Sequence, residues 1–162
     1  MATALGSCLA SVLFVCLGNI CRSPLAEAAF RREAERLGLD AIADSAGTGD
    51  WHVGRPPDRR AVAIAARNGI DISHLRARQV SRADFEHFDH IVALDAANLR
   101  DLTRMRPAGG RAGLSLLLDH VEGREGEAVA DPYHGDADHF ELTWSDVVEG
   151  ASALARKIAG QR

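Results

Sequence analysis

The sequence predicts an α/β fold, a three-layer sandwich in which a four-stranded parallel sheet carries helices on both faces. Three observations predict it. Short β-branched apolar runs alternate with amphipathic helical stretches along the chain, which is the pattern of βαβ units. The 162 residues suit one domain with one core, and a chain of that length buries about 70% of its unfolded surface without a disulfide or metal staple. The composition, 26% charged with 15 Gly and 5 Pro, is that of a globular protein and excludes disordered and collagen-like chains.

Each element follows in order. Val12-Leu13-Phe14-Val15 is apolar on both faces and reads as a buried first strand. A Gly/Asn loop follows, then Ser23 as the expected N-cap and Pro24 as the expected first helical residue. The helix carries Leu25, Ala28, Ala29, Phe30, Ala34 and Leu37 on one stripe and ends at Gly38. Ala41 to Ser45 form the second strand, and the stretch 46–57, rich in Gly and Pro, is a long loop. Asp58 to Asn68 read as a helix closed by Gly69, His90 to Leu94 as the third strand, Asp95 to Arg104 as a helix and Leu114 to Leu118 as the fourth strand. In the last helix Trp144, Val147, Val148, Ala151, Leu154, Ala155 and Ile158 form one apolar face able to cover a sheet. Residues 1–10 are expected to be a flexible extension, with one domain over 11–162.

Charge and cysteines narrow the function. A formal net charge of −4 argues against nucleic-acid and anionic-membrane partners, which select a basic face. Any anionic ligand must then be held by a local site. The three cysteines, Cys8, Cys16 and Cys21, all fall within the first 21 residues. That clustering suits a reducing, cytoplasmic compartment and a local use for thiols. No basic residue precedes Arg22 and Gly6, Ser7 and Ser11 break the apolar run, so neither a cleaved signal nor a membrane span is expected.

In parallel sheets of this kind ligands bind at the carboxyl ends of the strands. After the first strand comes Cys16-Leu17-Gly18-Asn19-Ile20-Cys21-Arg22-Ser23. Backbone N–H groups curling between a strand and a helix N-terminus make an anion nest, and the helix dipole adds partial positive charge. Gly18 and Asn19 tolerate the left-handed dihedrals of such a curl, and a phosphate dianion fits it. At the lip of a phosphate-binding loop Cys16 is expected to be a thiolate nucleophile. Arg22 offers a planar fork for two phosphoryl oxygens, and the Ser23 hydroxyl can donate to the thiolate. No Lys-Ser or Lys-Thr follows the glycine, which excludes a nucleotide-binding P-loop.

A thiolate attacking phosphorus needs a proton donor for the departing oxygen. Asp131-Pro132-Tyr133, in the loop after the fourth strand, supplies the candidate: an Asp facing a phosphate dianion is pushed toward its protonated form, and serves as acid and then base. Asp-Pro also opens turns, and only the cysteine loop favours the catalytic reading. Trp51 and Tyr133 either wall a slot for a flat ring or cap the core edge. Asp131, His134, Asp136, Asp138, His139 and Glu141 meet no standard zinc or calcium spacing, so no metal or other cofactor is expected.

Val15 to Pro24 together with Asp131-Pro132-Tyr133 resembles the low-molecular-weight protein tyrosine phosphatase family. The resemblance continues in Asp44-Ser45-Ala46-Gly47-Thr48, Trp51-His52-Val53-Gly54, Gly69 to His74, and Asp95 with Asn98, covering nearly all of the chain beyond residue 11. It implies a phosphotyrosine phosphatase acting on phosphoproteins through a cysteinyl-phosphate, with inorganic phosphate as product and inhibitor. Cys16 would be the nucleophile, Arg22 the phosphate clamp and Asp131 the general acid and base. Leu17, Gly18, Asn19, Ile20, Cys21 and Ser23 would form the loop that holds the phosphate, with Ser23 assisting the thiolate. Ser45 and His74 would give supporting hydrogen bonds, and Trp51, His52, Tyr133 and His134 would border the slot. His134 stands where many members carry a second aromatic residue, which makes this slot more polar. Cys21 either packs beneath the nest or forms a reversible disulfide with Cys16 under peroxide, the reading the resemblance supports.

Three rivals are weighed. Thioredoxin-coupled arsenate reductases need further cysteines, and none follows Cys21. Protein arginine phosphatases tend to carry Thr at the position of Ile20. A non-catalytic phosphotyrosine-binding module would lose Cys16 or Asp131, and both are present.

Overall fold

The computed structural model describes residues 9–160. Its centre is a four-stranded sheet in the order β2-β1-β3-β4, built from β1 (Ala10–Cys16), β2 (Ala41–Gly47), β3 (His90–Ala93) and β4 (Gly113–Leu116). All neighbouring strands are parallel, with Phe14 opposite Ser45 on one side and Val92 on the other. The helices are α1 (Arg22–Leu37), α2 (Arg59–Arg67), α3 (Asp84–His87), α4 (Ala96–Met105) and α5 (Ala137–Gly160), and a 3-10 turn, Leu117–His120, follows β4.

β1 pairs on both edges and is covered on both faces, so its apolar residues divide by parity. Val12, Phe14 and Cys16 enter the core shared with α1, α2 and α5. Leu13 and Val15 enter a second core against Phe85, Phe88 and Leu102. The apolar stripe of the last helix packs as expected, from Trp144 and Val147 through Leu154 to Ile158. Gly38 closes α1 in the left-handed conformation, φ 67°, and Asp58 caps α2 by accepting the Arg60 N–H.

Four differences from the sequence reading have local causes. β1 begins at Ala10, paired with Ala41, so the expected extension loses its last residue to the sheet. Of the remainder, Leu9 is exposed and outside the strand, and 1–8 lie outside the described residues. The fourth strand stops at Leu116, where the chain tightens into the 3-10 turn that Asp119 caps through the Leu116 N–H. The short α3 has no periodic pattern to announce it and is fixed by Phe85 in the second core. Finally, α1 starts at Arg22 with Cys21 as its N-cap and no side-chain cap bond. Ser23 is therefore inside the helix, its hydroxyl used elsewhere, and Pro24 is the third helical residue, where an N–H would still be unpaired.

Candidate active site

The loop between β1 and α1 turns at Asn19, whose φ of 59° is the one positive value at a non-glycine among the described residues. Gly18, expected to share that conformation, does not. It serves instead by close approach, since a Cβ there would stand 3.0 Å from the His52 ring. The end of β2 also packs directly on the loop: Thr48 and Gly49 donate their N–H groups to the carbonyls of Cys16 and Leu17.

Beneath the loop lies a chain of buried hydrogen bonds. The Arg78 N–H donates to Asn19 Oδ1 at 2.9 Å, which fixes the amide. Asn19 Nδ2 then donates to Ser23 Oγ at 2.8 Å and to Ser45 Oγ at 3.0 Å. Ser45 Oγ donates to Glu27 Oε1 at 2.8 Å. Ser23 Oγ, having accepted from Asn19, lies 3.1 Å from the Cys16 sulfur and 3.5 Å from the Ala46 carbonyl, and its proton can serve either. The Asn19 N–H donates to the same sulfur at 3.3 Å. Asn19, Ser23 and Glu27 are each at most 3% exposed, so water does not compete for these bonds. Burial raises the Glu27 carboxyl above its ordinary pKa, against the relief given by Ser45 and Arg31.

Arg22 is held from the other side. Its Nη1 donates to Asp95 Oδ2 at 2.7 Å and to the Val129 carbonyl at 3.0 Å. Asp95 also caps α4, accepting the Asn98 N–H. Burial opposes the charge on Arg22, and the Cys16 sulfur, Asp95 and Asp131 outweigh it, leaving its pKa above the usual value. Nη2 lies 3.6 Å from Asp131 Oδ2. The guanidinium is thus oriented by groups outside the loop, with one edge toward the loop and the candidate acid.

Cys16, Leu17, Gly18, Ile20, Cys21 and Arg22 line one cleft of about 390 Å³ together with Trp51 and His52 from the loop after β2, and Asp131, Tyr133 and His134 from the loop before α5. The structure therefore gathers residues from three strand ends into one place, as the carboxyl-end rule requires. Trp51 is 70% exposed and Tyr133 40%; they stand at the rim and do not cap the core. Tyr133 meets the His134 ring edge-on at 4.9 Å and the His52 ring at 6.3 Å. Asn19, Ser23 and Ser45 lie behind the cleft wall.

One expected residue is not brought in. His74 is exposed and, among the described residues, makes no side-chain hydrogen bond to the loop. It lines a separate cleft between α1 and the segment 69–75. Glu27 ends the buried chain in its place, a residue the sequence reading missed. The available signal was its spacing: Glu27 lies four residues after Ser23 on the buried face of α1. The clamp role of Asp95 was also missed, since only pairing across the sheet brings it to Arg22.

Cys21 is a buried free thiol, as is Cys16. Burial, with the negative charge of Asp58 and the Cys16 sulfur, pushes the Cys21 pKa upward.

A buried thiol that accepts a backbone N–H, beside a pre-oriented guanidinium and a carboxylate in one small cleft, is an arrangement able to bind a phosphoryl group and attack it. Residues 11–162 match the family model for low molecular weight phosphotyrosine protein phosphatase. A protein of that name from Schizosaccharomyces pombe is 46% identical over 151 residues, covering 91% of this chain and 96% of the relative. The crystal structure of YfkJ from Bacillus subtilis superimposes with a TM-score of 0.89 at 42% identity, covering 97% of this chain and 99% of that one. A Drosophila arginine phosphatase structure is also similar, with a TM-score of 0.85 at 31% identity over 91% and 96% of the two chains. The chain belongs to the low molecular weight phosphotyrosine protein phosphatase family.

Proposed function

We propose that this protein is a protein-tyrosine phosphatase that hydrolyses phosphotyrosine in protein substrates, releasing inorganic phosphate. The observation that carries the residue roles is the meeting of Cys16, Arg22 and Asp131 in one cleft. Cys16 attacks phosphorus as a thiolate while the phenolic P–O bond breaks and Asp131 gives its proton to the departing oxygen. The product is a cysteinyl-phosphate. Asp131, now a carboxylate, takes a proton from the water that attacks phosphorus; the S–P bond breaks and Ser23 donates to the returning thiolate. Arg22 holds two phosphoryl oxygens through both steps, and Leu17 to Cys21 supply the loop around them.

Trp51, His52, Tyr133 and His134 receive the substrate ring and its flanking peptide, and phosphate inhibits by returning to the loop. Asn19 and Ser45 support the Ser23 hydroxyl. Among the described residues no helix is long and apolar enough to cross a membrane; the clustered cysteines favour the cytoplasm, and the net charge of −4 disfavours nucleic-acid and membrane partners. Under peroxide, Cys16 is oxidised to a sulfenic acid; the Cys21 thiol then displaces water from it to give a disulfide that an external thiol reverses.

The test is hydrolysis of p-nitrophenyl phosphate and of phosphotyrosine and phosphoarginine peptides. We expect turnover of the first two, and Cys16→Ser to remove it by at least about four orders of magnitude. Unimpaired turnover by Cys16→Ser would sink the mechanism, and a preference for phosphoarginine would move the substrate to the rival class.

A further inference from the structure

Arg60 occupies the gap between the two loops that carry the chemistry, and the mechanism above does not use it. Its side chain comes from the first turn of α2 and forks onto Asp58, with Nε 3.0 Å from Oδ1 and Nη2 2.9 Å from Oδ2. The same guanidinium reaches the segment that follows Asp131. Nη2 donates to the Tyr133 carbonyl at 2.9 Å, and Nη1 to the Gly135 carbonyl at 3.1 Å. Its face stacks on the Phe140 ring at 4.6 Å and lies 5.9 Å from the Tyr133 ring. The backbone N–H of Asp58, at the other end of this bracket, donates to the Ile20 carbonyl of the phosphate-binding loop at 2.8 Å.

We propose that Arg60, braced by Asp58, is a positioning residue that sets the distance between the Cys16 loop and the general acid Asp131. The inference rests on the role given to Asp131 above.

Other bonds hold the two ends of the segment 131–136: Arg22 Nη2 lies 3.6 Å from Asp131 Oδ2, and Asp136 is tied to the first turn of α5, its carbonyl accepting the His139 and Phe140 N–H groups and its side chain accepting the His139 N–H. Between those ends the bonds are internal, Asp131 Oδ1 accepting the Tyr133 N–H and the Gly135 N–H returning to the Pro132 carbonyl. Thr143 holds the Ala130 carbonyl at 3.3 Å on the side that precedes Asp131. On the side that follows it, the two carbonyls taken by Arg60 tie the loop to the body that bears the nucleophile. Four of the five guanidinium N–H groups are engaged, two on Asp58 and two on the loop. A lysine ammonium carries charge without the planar fork and cannot reproduce that geometry. Proton transfer to a leaving oxygen requires hydrogen-bond reach, and a misplacement of about 1 Å costs up to about 100-fold in rate.

The experiment compares Arg60→Lys and Arg60→Met with the unmodified enzyme on two substrates. Phenyl phosphate resembles phosphotyrosine in releasing a phenolate that needs a proton, and p-nitrophenyl phosphate releases one that does not. We expect kcat/KM on phenyl phosphate to fall by about 10-fold in both variants, with a change below about twofold on p-nitrophenyl phosphate. In an Asp131→Asn background the Arg60 substitutions should then cost nothing more, because the group they position is gone. Circular dichroism confirms the fold, and if Arg60→Met fails to fold, Arg60→Lys carries the test. Equal losses on both substrates, no loss on either, or a loss that persists beside Asp131→Asn would overturn the proposal. Asp131→Asn by itself separates the two readings. If it lowers kcat/KM equally on both substrates, the acid assignment falls and takes this role with it; if it selects phenyl phosphate in kcat/KM while the Arg60 variants do not, only the positioning role falls.

Discussion

The two loops that meet at the cleft are built on opposite principles. The loop from Cys16 to Ser23 is held from beneath: Asn19, Arg22 and Ser23 are at most 3% exposed, and every polar group of the chain from Arg78 to the Cys16 sulfur has a partner inside the protein. The segment from Asp131 to Asp136 lies on the surface; the Asp131 side chain is 46% exposed, and short internal bonds and the Arg60 bracket define it. The difference follows the chemistry. Stabilising charge on a transferring phosphoryl group needs donors fixed before the reaction, in a place water does not relax. A general acid must instead admit a leaving ring on one step and a water on the next, which a sealed loop would block.

Substitutions in the rigid loop should cost more than those in the open one. Arg22→Lys removes the bidentate clamp from the rigid loop, and kcat should fall by about 10²–10³-fold on p-nitrophenyl phosphate and phenyl phosphate alike. A loss confined to phenyl phosphate would mean that Arg22 acts mainly through Asp131. Asp131→Asn, on the open loop, should separate the two substrates in kcat/KM, lowering it by about 100-fold or more for phenyl phosphate and far less for p-nitrophenyl phosphate, while kcat, which includes the shared water step, falls on both.

Ser45→Ala tests the buried chain away from the reacting atoms. It leaves an Asn19 N–H and Glu27 Oε1 without partners, so stability in urea should drop by about 1–3 kcal/mol. An unchanged midpoint would show that the chain relaxes around the gap. The smallest effect concerns neither loop. His120 accepts from Lys157 at 3.0 Å and meets Ser115 at 2.9 Å, and burial, with the Lys157 charge, pushes its pKa down to about 4. The unfolded chain takes up that proton near the ordinary His value of about 6.5, whereas the folded chain stays neutral until about pH 4. Stability should therefore fall as pH drops from about 7 to about 4 and flatten below. His120→Gln should reduce that slope in urea titrations and leave the shape of the kcat/KM profile unaltered, since His120 lies near Lys157, far along α5 from the acid loop.

What could be read from the chain in advance was what neighbouring residues decide. Parity in Val12 to Val15, the apolar stripe of α5 and the sequence from Cys16 to Ser23 gave the strand, the helix and the reactive loop, because each depends on side chains within one or two turns of each other. Gly38 acts locally and was legible as the end of α1 for the same reason, whereas Asp58, read as the first residue of its helix, is the N-cap of α2. Ser23 was misread as a cap because the local preference for Ser at that position is real, and a partner 26 residues away from Asn19, Ser45, helped draw it into another network.

The limit is a physical one. Periodicity and loop chemistry are short-range, so the parallel sheet and the proposed roles of Cys16, Arg22 and Asp131 at one edge of it could be read from the chain alone. Only the tertiary structure decided who supports them: Glu27 ends the buried chain and His74 does not, Asp95 aims Arg22, and Arg60 spans the two loops. Those assignments depend on distances between segments as many as 75 residues apart; the pairing of β1 with β3 sets the place of Asp95, and the packing of α1, α2 and α5 on one face of the sheet sets the others.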